Sequence, residues 1–357
     1  MIRLQPHTSV IAEARPLRRS IACGVVGAVI VAGVLTFVAG CTAGARPSGA
    51  GASEGRPFGV DYYVQAVEAY ERGQPDRAIV LLLEALRQNP DLRMARSLLG
   101  DLYRARGDYK QALPNYQRLA ELDAYTADNH YRLGLMYQLL NRLRDAAASY
   151  LRALELDPQD WRSNMNLGLV YLALNQIDDA VTYLERSSVL NPDNAEIWAN
   201  LGVALDARGS VVLAEAAYKK SLELDTSQHT TLLNLGSNLV AQGKAQDALS
   251  VMERAVQKIN TPPARKRYAD ALALNNQFDA AAREYDAAVR ANPSYWPALT
   301  EKGFLMINLY RRGLELEEAQ KRQAIDLWSK SLAIYPNQPR VKQAIKQWTG
   351  GGLFGGN

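Results

Sequence analysis

Two cysteines, three histidines and five phenylalanines among 357 residues exclude several kinds of chemistry at once. Cys23 and Cys41 both precede the region of regular pattern, so disulfides and cysteine metal sites play no part in the fold. His7, His130 and His229 are scattered, which leaves no histidine metal triad and no histidine-based relay. No G-x-x-x-x-G-K-[ST], G-x-S-x-G or H-E-x-x-H occurs, and no cofactor is expected. Excess charge is missing too. The formal net charge is +4, but Arg3, Arg15, Arg18 and Arg19 face only Glu13 in the first 40 residues, leaving 37 basic and 36 acidic residues beyond them. A nearly neutral body lacks the clustered basic face that nucleic-acid binding requires. What the chain has in excess is tyrosine, 18 against 5 phenylalanines, which suggests one aromatic recurring at a fixed place.

The N-terminus reads as an address. Arg15, Arg18 and Arg19 precede an uncharged apolar run from Ile21 to Gly40, the pattern of a signal peptide or signal anchor. The run is long enough to span a bilayer, so length leaves both open. Its end, Val38-Ala39-Gly40-Cys41, resembles the bacterial lipobox. That resemblance implies lipidation of Cys41 after cleavage, with residues 1–40 as the signal peptide; the alternative is an uncleaved transmembrane helix. Acyl chains contribute about 0.8 kcal/mol per buried CH₂, and more than one chain makes attachment stable. Both readings put the body on the non-cytoplasmic side of a cell-envelope membrane. Thr42 after the cysteine resembles the outer-membrane class in a two-membrane cell, facing the periplasm. Residues 41–58, rich in Gly, Ala, Ser and Pro, are expected to form a flexible tether.

A 34-residue period organises the rest. Gly100, Gly134, Gly168, Gly202 and Gly236 each follow a leucine. Three residues after each glycine stands Tyr103, Tyr137, Tyr171, Leu205 or Leu239, and twelve after it Ala112, Ala146, Ala180, Ala214 or Ala248. Tyr116, Tyr150, Leu184, Tyr218 and Met252 come next, and most repeats close on a proline: Pro90, Pro158, Pro192, Pro293 and Pro336. Over residues 59–348 this resembles the tetratricopeptide repeat, W-x₂-L-G-x₂-Y, then A-x₃-F, then P. Leu, Gly and Tyr at these steps share one side of a first helix. Gly and Ala remove side chains where two helices cross, while Tyr and Leu fill the remaining space at roughly 1.5–3 kcal/mol each. Turns such as Gly107-Asp108 separate the helices, with Asp108 a candidate N-cap.

Departures are as informative as matches. The first repeat has Ala66 and Ala69 for Gly and Tyr. Pro114 falls inside a second helix and is expected to delay or bend its first turn. The period drops to 33 near Thr261-Pro262-Pro263. In the last repeat the first helix aligns from Trp296, but the second aligns nine residues late, which places an insertion around 308–318. Residues 340–348 read as a capping helix with Trp348 over the last apolar face, and 349–357 as a disordered Gly-rich tail. The expected fold is all-α, a right-handed superhelical solenoid of about eight hairpins with a C-terminal capping helix.

In such families the concave groove is lined by first helices and takes an extended peptide or a partner's helix. The resemblance places Arg132, Asn166, Asn200, Asn234 and Arg267 there. Three asparagines in register resemble the asparagine ladder of glycosyltransferase repeat domains, in which side-chain amides bond a peptide backbone; asparagine is also a consensus residue at this position for structural reasons. An amide both donates and accepts, so it matches a backbone without reading sequence. Neighbouring Tyr131, Leu135, Met165, Leu169, Leu172, Val203, Leu233 and Val240 either anchor a partner's side chains or pack between repeats. Arg132 and Arg267 flank the ladder as candidate carboxylate clamps. With every long segment assigned to a hairpin, no catalytic domain remains, and the chain is expected not to be an enzyme. The resemblance implies a protein-binding scaffold for other envelope proteins, assisting pilus or secretion-complex assembly. The alternatives are an adaptor for an envelope peptidase or cell-wall enzyme, and an accessory of polysaccharide export.

Overall fold

The structure is a computed structural model that describes residues 58–313 and 318–349. The apolar run, Cys41, nearly all of the tether and the Gly-rich tail lie outside the described residues. Two compact units divide the chain, one ending at Leu92 and the other beginning at Arg93.

The first unit is one hairpin, α1 (Val60–Glu71) and α2 (Pro75–Gln88). Ala66, Ala69, Ala78, Leu82 and Ala85 form its buried seam. The substitution of Ala for the usual Gly and Tyr therefore still yields a paired hairpin, with Leu82 filling the crossing.

The second unit contains seven hairpins: α3 (Arg93–Arg106) with α4 (Tyr109–Leu122), α5 (Ala127–Leu139) with α6 (Leu143–Leu156), and α7 (Trp161–Ala173) with α8 (Ile177–Leu190). They continue as α9 (Ala195–Arg208) with α10 (Val211–Leu224), α11 (His229–Ala241) with α12 (Ala245–Lys258), and α13 (Pro262–Leu274) with α14 (Phe278–Ala291). The last pairs α15 (Trp296–Arg312) with α16 (Glu318–Ile334), and α17 (Pro339–Trp348) follows. No strand occurs among the described residues. Each helix of this unit packs on its sequence neighbours, so the core runs along the array rather than around a centre.

The period has a visible physical cause. A Cβ added to Gly100, Gly134 or Gly202 would strike the ring of Tyr116, Tyr150 or Tyr218, and at Gly168 it would lie 2.7 Å from Leu184 Cγ. Each glycine thus makes room for the large residue sixteen positions later. At the repeat shortened to 33 the same place is Ala269, against Tyr285; both are buried. Ala112, Ala146, Ala180, Ala214 and Ala248 are all fully buried on the opposite helix. The turn between paired helices needs a left-handed residue, and it is Gly107, Gly209 or Gly243 in some hairpins and Asn141, Asn175 or Asn276 in others.

The last hairpin keeps the crossing and lengthens its arms. Gly303 faces Trp328, twenty-five rather than sixteen residues later, and both helices run to 17 residues against 13 or 14 in the other hairpins of this unit. The added length of both helices therefore lies at the distal end, beyond the crossing. Helix α17 covers the final face mainly through buried Val341 and Ala344; Trp348 is half-buried and meets Tyr310 edge-on at 6.0 Å.

Two local expectations need correction. Asp108 holds the N-cap position of α4, but its carboxylate accepts from Arg106 instead of the helix N–H groups. Asp160 and Asn194, by contrast, each accept from two backbone N–H groups of the helix they precede. Nor does Pro114 delay α4, which starts at Tyr109 as its neighbours' spacing requires. The proline lies past the first turn, so the N–H it lacks is one the helix would have used.

Candidate functional site: the inner face of the second unit

Within the second unit the first helices of successive hairpins also touch one another, from α5 through α7, α9, α11 and α13 to α15, whereas no pair of second helices approaches as closely. Stacking that is tighter on one side bends the array toward that side, so the odd-numbered helices form its inner face. Arg132, Asn166, Asn200, Asn234 and Arg267 occupy one register along it, one per helix, and Glu301 on α15 continues the row. A parallel row reads Asp101, Leu135, Leu169, Val203, Ser237, Asp270 and Phe304.

The polar row is knit backwards, from one hairpin to the one before. Arg132 donates to Ser97 thirty-five residues earlier, and also to Asp101 at 2.9 Å and Asp128. Asn166 donates to the Tyr131 hydroxyl, again thirty-five residues earlier, at 3.4 Å. The residue at that place before Asn200 is Met165, which offers only a weak thioether acceptor. Asn200 is 9% exposed and its Nδ2 finds no acceptor at all. Asn234 is served from the other direction, accepting from Arg267 at 3.2 Å. An orphaned buried donor costs about 1–3 kcal/mol. Asn200 is therefore the one member of the ladder that the protein does not satisfy.

The apolar neighbours divide. Met165 and Leu233 are buried, while Tyr131, Leu135, Leu169, Leu172, Val203 and Val240 are half-exposed. The two arginines at the ends of the ladder are not open clamps: Arg132 is held by two aspartates, and Arg267 by Asn234.

Beside Arg132 a cavity of about 270 Å³ opens, lined by Asp101, Arg104, Asp128, Tyr131, Leu135 and Arg162 as well as Arg132 itself. The Arg162 guanidinium covers the Tyr131 ring at 4.7 Å and pairs with Asp160 at 2.9 Å. Hydrogen bonds from Ser163 and Arg162 outweigh burial and hold Asp160 below the usual carboxylate range. Burial raises the Tyr131 hydroxyl, so it stays protonated as a neutral donor–acceptor. Sequence periodicity pointed to Arg132 and Tyr131 but missed Asp101, Asp128 and Arg162. They sit at repeat positions where residue type is not kept, Asp101 against Leu135 and Asp128 against Arg162, so no recurring residue marks them and only the fold brings them together.

Behind the inner face, tyrosines at the crossing reach through to it. The Tyr116 and Tyr285 hydroxyls donate to Asp101 and Asp270 at 2.7 Å each, and Tyr218 donates to Asp206 at 2.9 Å. Burial raises Asp206 despite hydrogen bonds from Asn238 and Tyr218. Among the described residues no group of His, Cys, Asp and Glu is arranged to hold a metal ion.

Comparisons with known proteins agree with this architecture. Residues 91–302 match the family model described as the cilia and flagella-associated protein 70 C-terminal domain. Over 74 residues, 21% of the chain, the sequence is 35% identical to the superkiller complex protein 3 of Mus musculus, a stretch that spans 5% of that protein. Among solved structures, the crystal structure of the APC/C hetero-tetramer Cut9-Hcn1 superposes with a TM-score of 0.55 at 16% identity, covering 80% of this chain and 55% of that one. A tetratricopeptide repeat protein from Parabacteroides merdae gives a TM-score of 0.52 at 15% identity, covering 66% and 93%. At such identities the likeness is one of fold.

Proposed function

Because the chain belongs to the tetratricopeptide family described by the cilia and flagella-associated protein 70 C-terminal domain, we propose that it is a membrane-anchored, non-enzymatic scaffold that holds an extended segment of a partner protein along its inner face. The observation that carries this reading is Asn200. Its amide donor is buried without an acceptor between two ladder asparagines that have partners. A partner's backbone carbonyl, met after a change of rotamer, would recover about 1–3 kcal/mol of otherwise unfavourable burial. Half-exposed Leu169 and Val203 flank the amide and supply the apolar contacts that anchor side chains.

The anchoring part of the proposal rests on sequence. Arg15, Arg18 and Arg19, the apolar run and Cys41 point to a lipid anchor on the non-cytoplasmic side of an envelope membrane. No described helix is long and apolar enough to cross a membrane. A repeat scaffold tethered in this place suits assembly of a pilus or secretion complex, with recruitment to an envelope peptidase or polysaccharide export as the other uses.

In-cell photo-crosslinking from Val203, with exposed Arg186 on α8 as the control, tests the groove. A partner captured from Val203 alone, and lost when Asn166, Asn200 and Asn234 become Ala, is the expected result. Capture that survives the triple substitution would remove the ladder from recognition. The captured protein, whether pilin or secretion component, hydrolase or polymer synthase, separates the three processes. Metabolic palmitate labelling that disappears in Cys41→Ala checks the anchor.

A further inference from the structure

The inner face does not simply run out at α15. Glu301 and Phe304 continue its two rows, and there a side chain from α17 lies across both. The Arg340 guanidinium stands 3.7 Å from the Phe304 ring centroid and 3.5 Å from a Glu301 carboxylate oxygen. A planar guanidinium is suited to this pair of contacts, because its face stacks on an aromatic ring while its edge donates to a carboxylate.

The receiving groups are held by the core, whereas the arginine is largely exposed. Phe304 packs against fully buried Trp328 at 4.9 Å, and Trp328 donates to the Thr300 carbonyl and fills the space beside Gly303. Glu301 is half-buried, and desolvation raises its carboxyl while Lys266 and Arg340 only partly oppose the rise. Lys266 is itself committed to Asp270. The Arg340 side chain, by contrast, remains 68% exposed and makes a long ion pair. A platform held by the core is thus filled by a long, exposed side chain at the start of a ten-residue helix.

We propose that Glu301 and Phe304 form an arginine-binding subsite at the C-terminal end of the inner face, which Arg340 of α17 fills in cis and which an arginine of a bound partner takes over. This deepens the inner-face reading by placing an arginine at one end of the partner segment. It also makes α17 a competitor for that place as well as a cap on the core.

The test uses the full chain and a small probe, so it does not depend on the asparagine ladder. N-acetyl-arginine methylamide is titrated into the parent, Arg340→Ala and Arg340→Ala/Glu301→Gln, and the Trp328 indole N–H resonance is followed by NMR. Arg340→Ala should give a saturable shift, with the parent requiring several-fold more probe. The double variant, and N-acetyl-lysine methylamide with the single variant, should bind at least about tenfold more weakly. Should Arg340→Ala loosen α17 in a melt, Arg340→Gln replaces it in the same series. Equal response of parent and variant, no saturation, or equal binding of the lysine probe would each overturn the proposal. A ladder that fails by crosslinking while this subsite binds would instead discard only the ladder.

Discussion

The central hairpins and the last hairpin solve the same packing problem with different lengths of chain. From α3 to α12, a glycine meets a large residue sixteen positions later, and the helices that carry them are 13 or 14 residues long. In α15 and α16 the glycine meets Trp328 after twenty-five residues, and both helices gain about a turn. The crossing is what packing holds constant, and the distal end of the hairpin is free to grow. The inner face differs in parallel: its centre leaves a donor unsatisfied at Asn200, while its far end is covered by Arg340.

Removing the crossing residue should have the largest effect. Trp328→Ala is expected to cost about 3–5 kcal/mol and Leu184→Ala about 2–5 kcal/mol in denaturant melts. A Trp328 variant that melts like the parent would show that the long hairpin does not rely on its crossing. Filling the glycine is the reciprocal change. Gly168→Val and Gly303→Val should each cost about 1–3 kcal/mol by overpacking, the latter toward the upper end because a rigid indole yields less than a leucine. Gly236 faces Met252, an unbranched side chain that can change rotamer, so Gly236→Val should be the mildest of the set; equal losses at all three sites would mean that the facing side chain does not matter.

Electrostatics gives a smaller effect, confined to the central hairpins. Glu215 on α10 accepts from Lys219, Lys244 and Gln242, and these hydrogen bonds, Lys219's foremost, lower its carboxyl to about 2. A lowered folded-state value stabilises above the unfolded carboxylate range and is lost as pH falls from about 4.5 toward 2. Both lysines are well exposed, so screening keeps the contribution near about 1 kcal/mol. Glu215→Gln should flatten that part of a stability–pH curve, and an unchanged slope would assign acid sensitivity elsewhere. A last contrast separates two asparagines. Asn238 donates to Asp206 and to the Val211 carbonyl and accepts from Gln242, so Asn238→Ala should cost about 1–3 kcal/mol. Asn200→Ala removes a donor with no acceptor, so relief of about 1–3 kcal/mol offsets the packing lost with the side chain and stability should not fall. A large loss at Asn200 would make it scaffolding, not a contact kept for a partner.

The all-α repeat was legible because its causes are local and recur: Gly, Ala, Leu and Tyr at set steps, Gly or Asn at the turns of the regular hairpins, and a nine-residue displacement in the last repeat. Caps were less so, since an aspartate before a helix has competing partners, and Asp108 took Arg106 where Asp160 took the backbone. The candidate site was half legible. Periodicity lined up Arg132, Asn166, Asn200, Asn234 and Arg267, but it presented the arginines as open clamps, and they are engaged. The cavity beside Arg132 joins repeat positions whose residue type changes from one hairpin to the next, such as Asp128 and Arg162, so no recurring residue marked it.

By itself the sequence determined the hairpins, their number and their crossings, because each depends on residues a fixed short distance apart. Only the tertiary structure decided which inner-face groups are satisfied. That depends on the residue a whole repeat away, so Ser97 serves Arg132 and Tyr131 serves Asn166, while Met165 leaves Asn200 without a partner. The same holds at the far end, where Arg340 reaches Glu301 and Phe304 only because α17 folds back on the last hairpin.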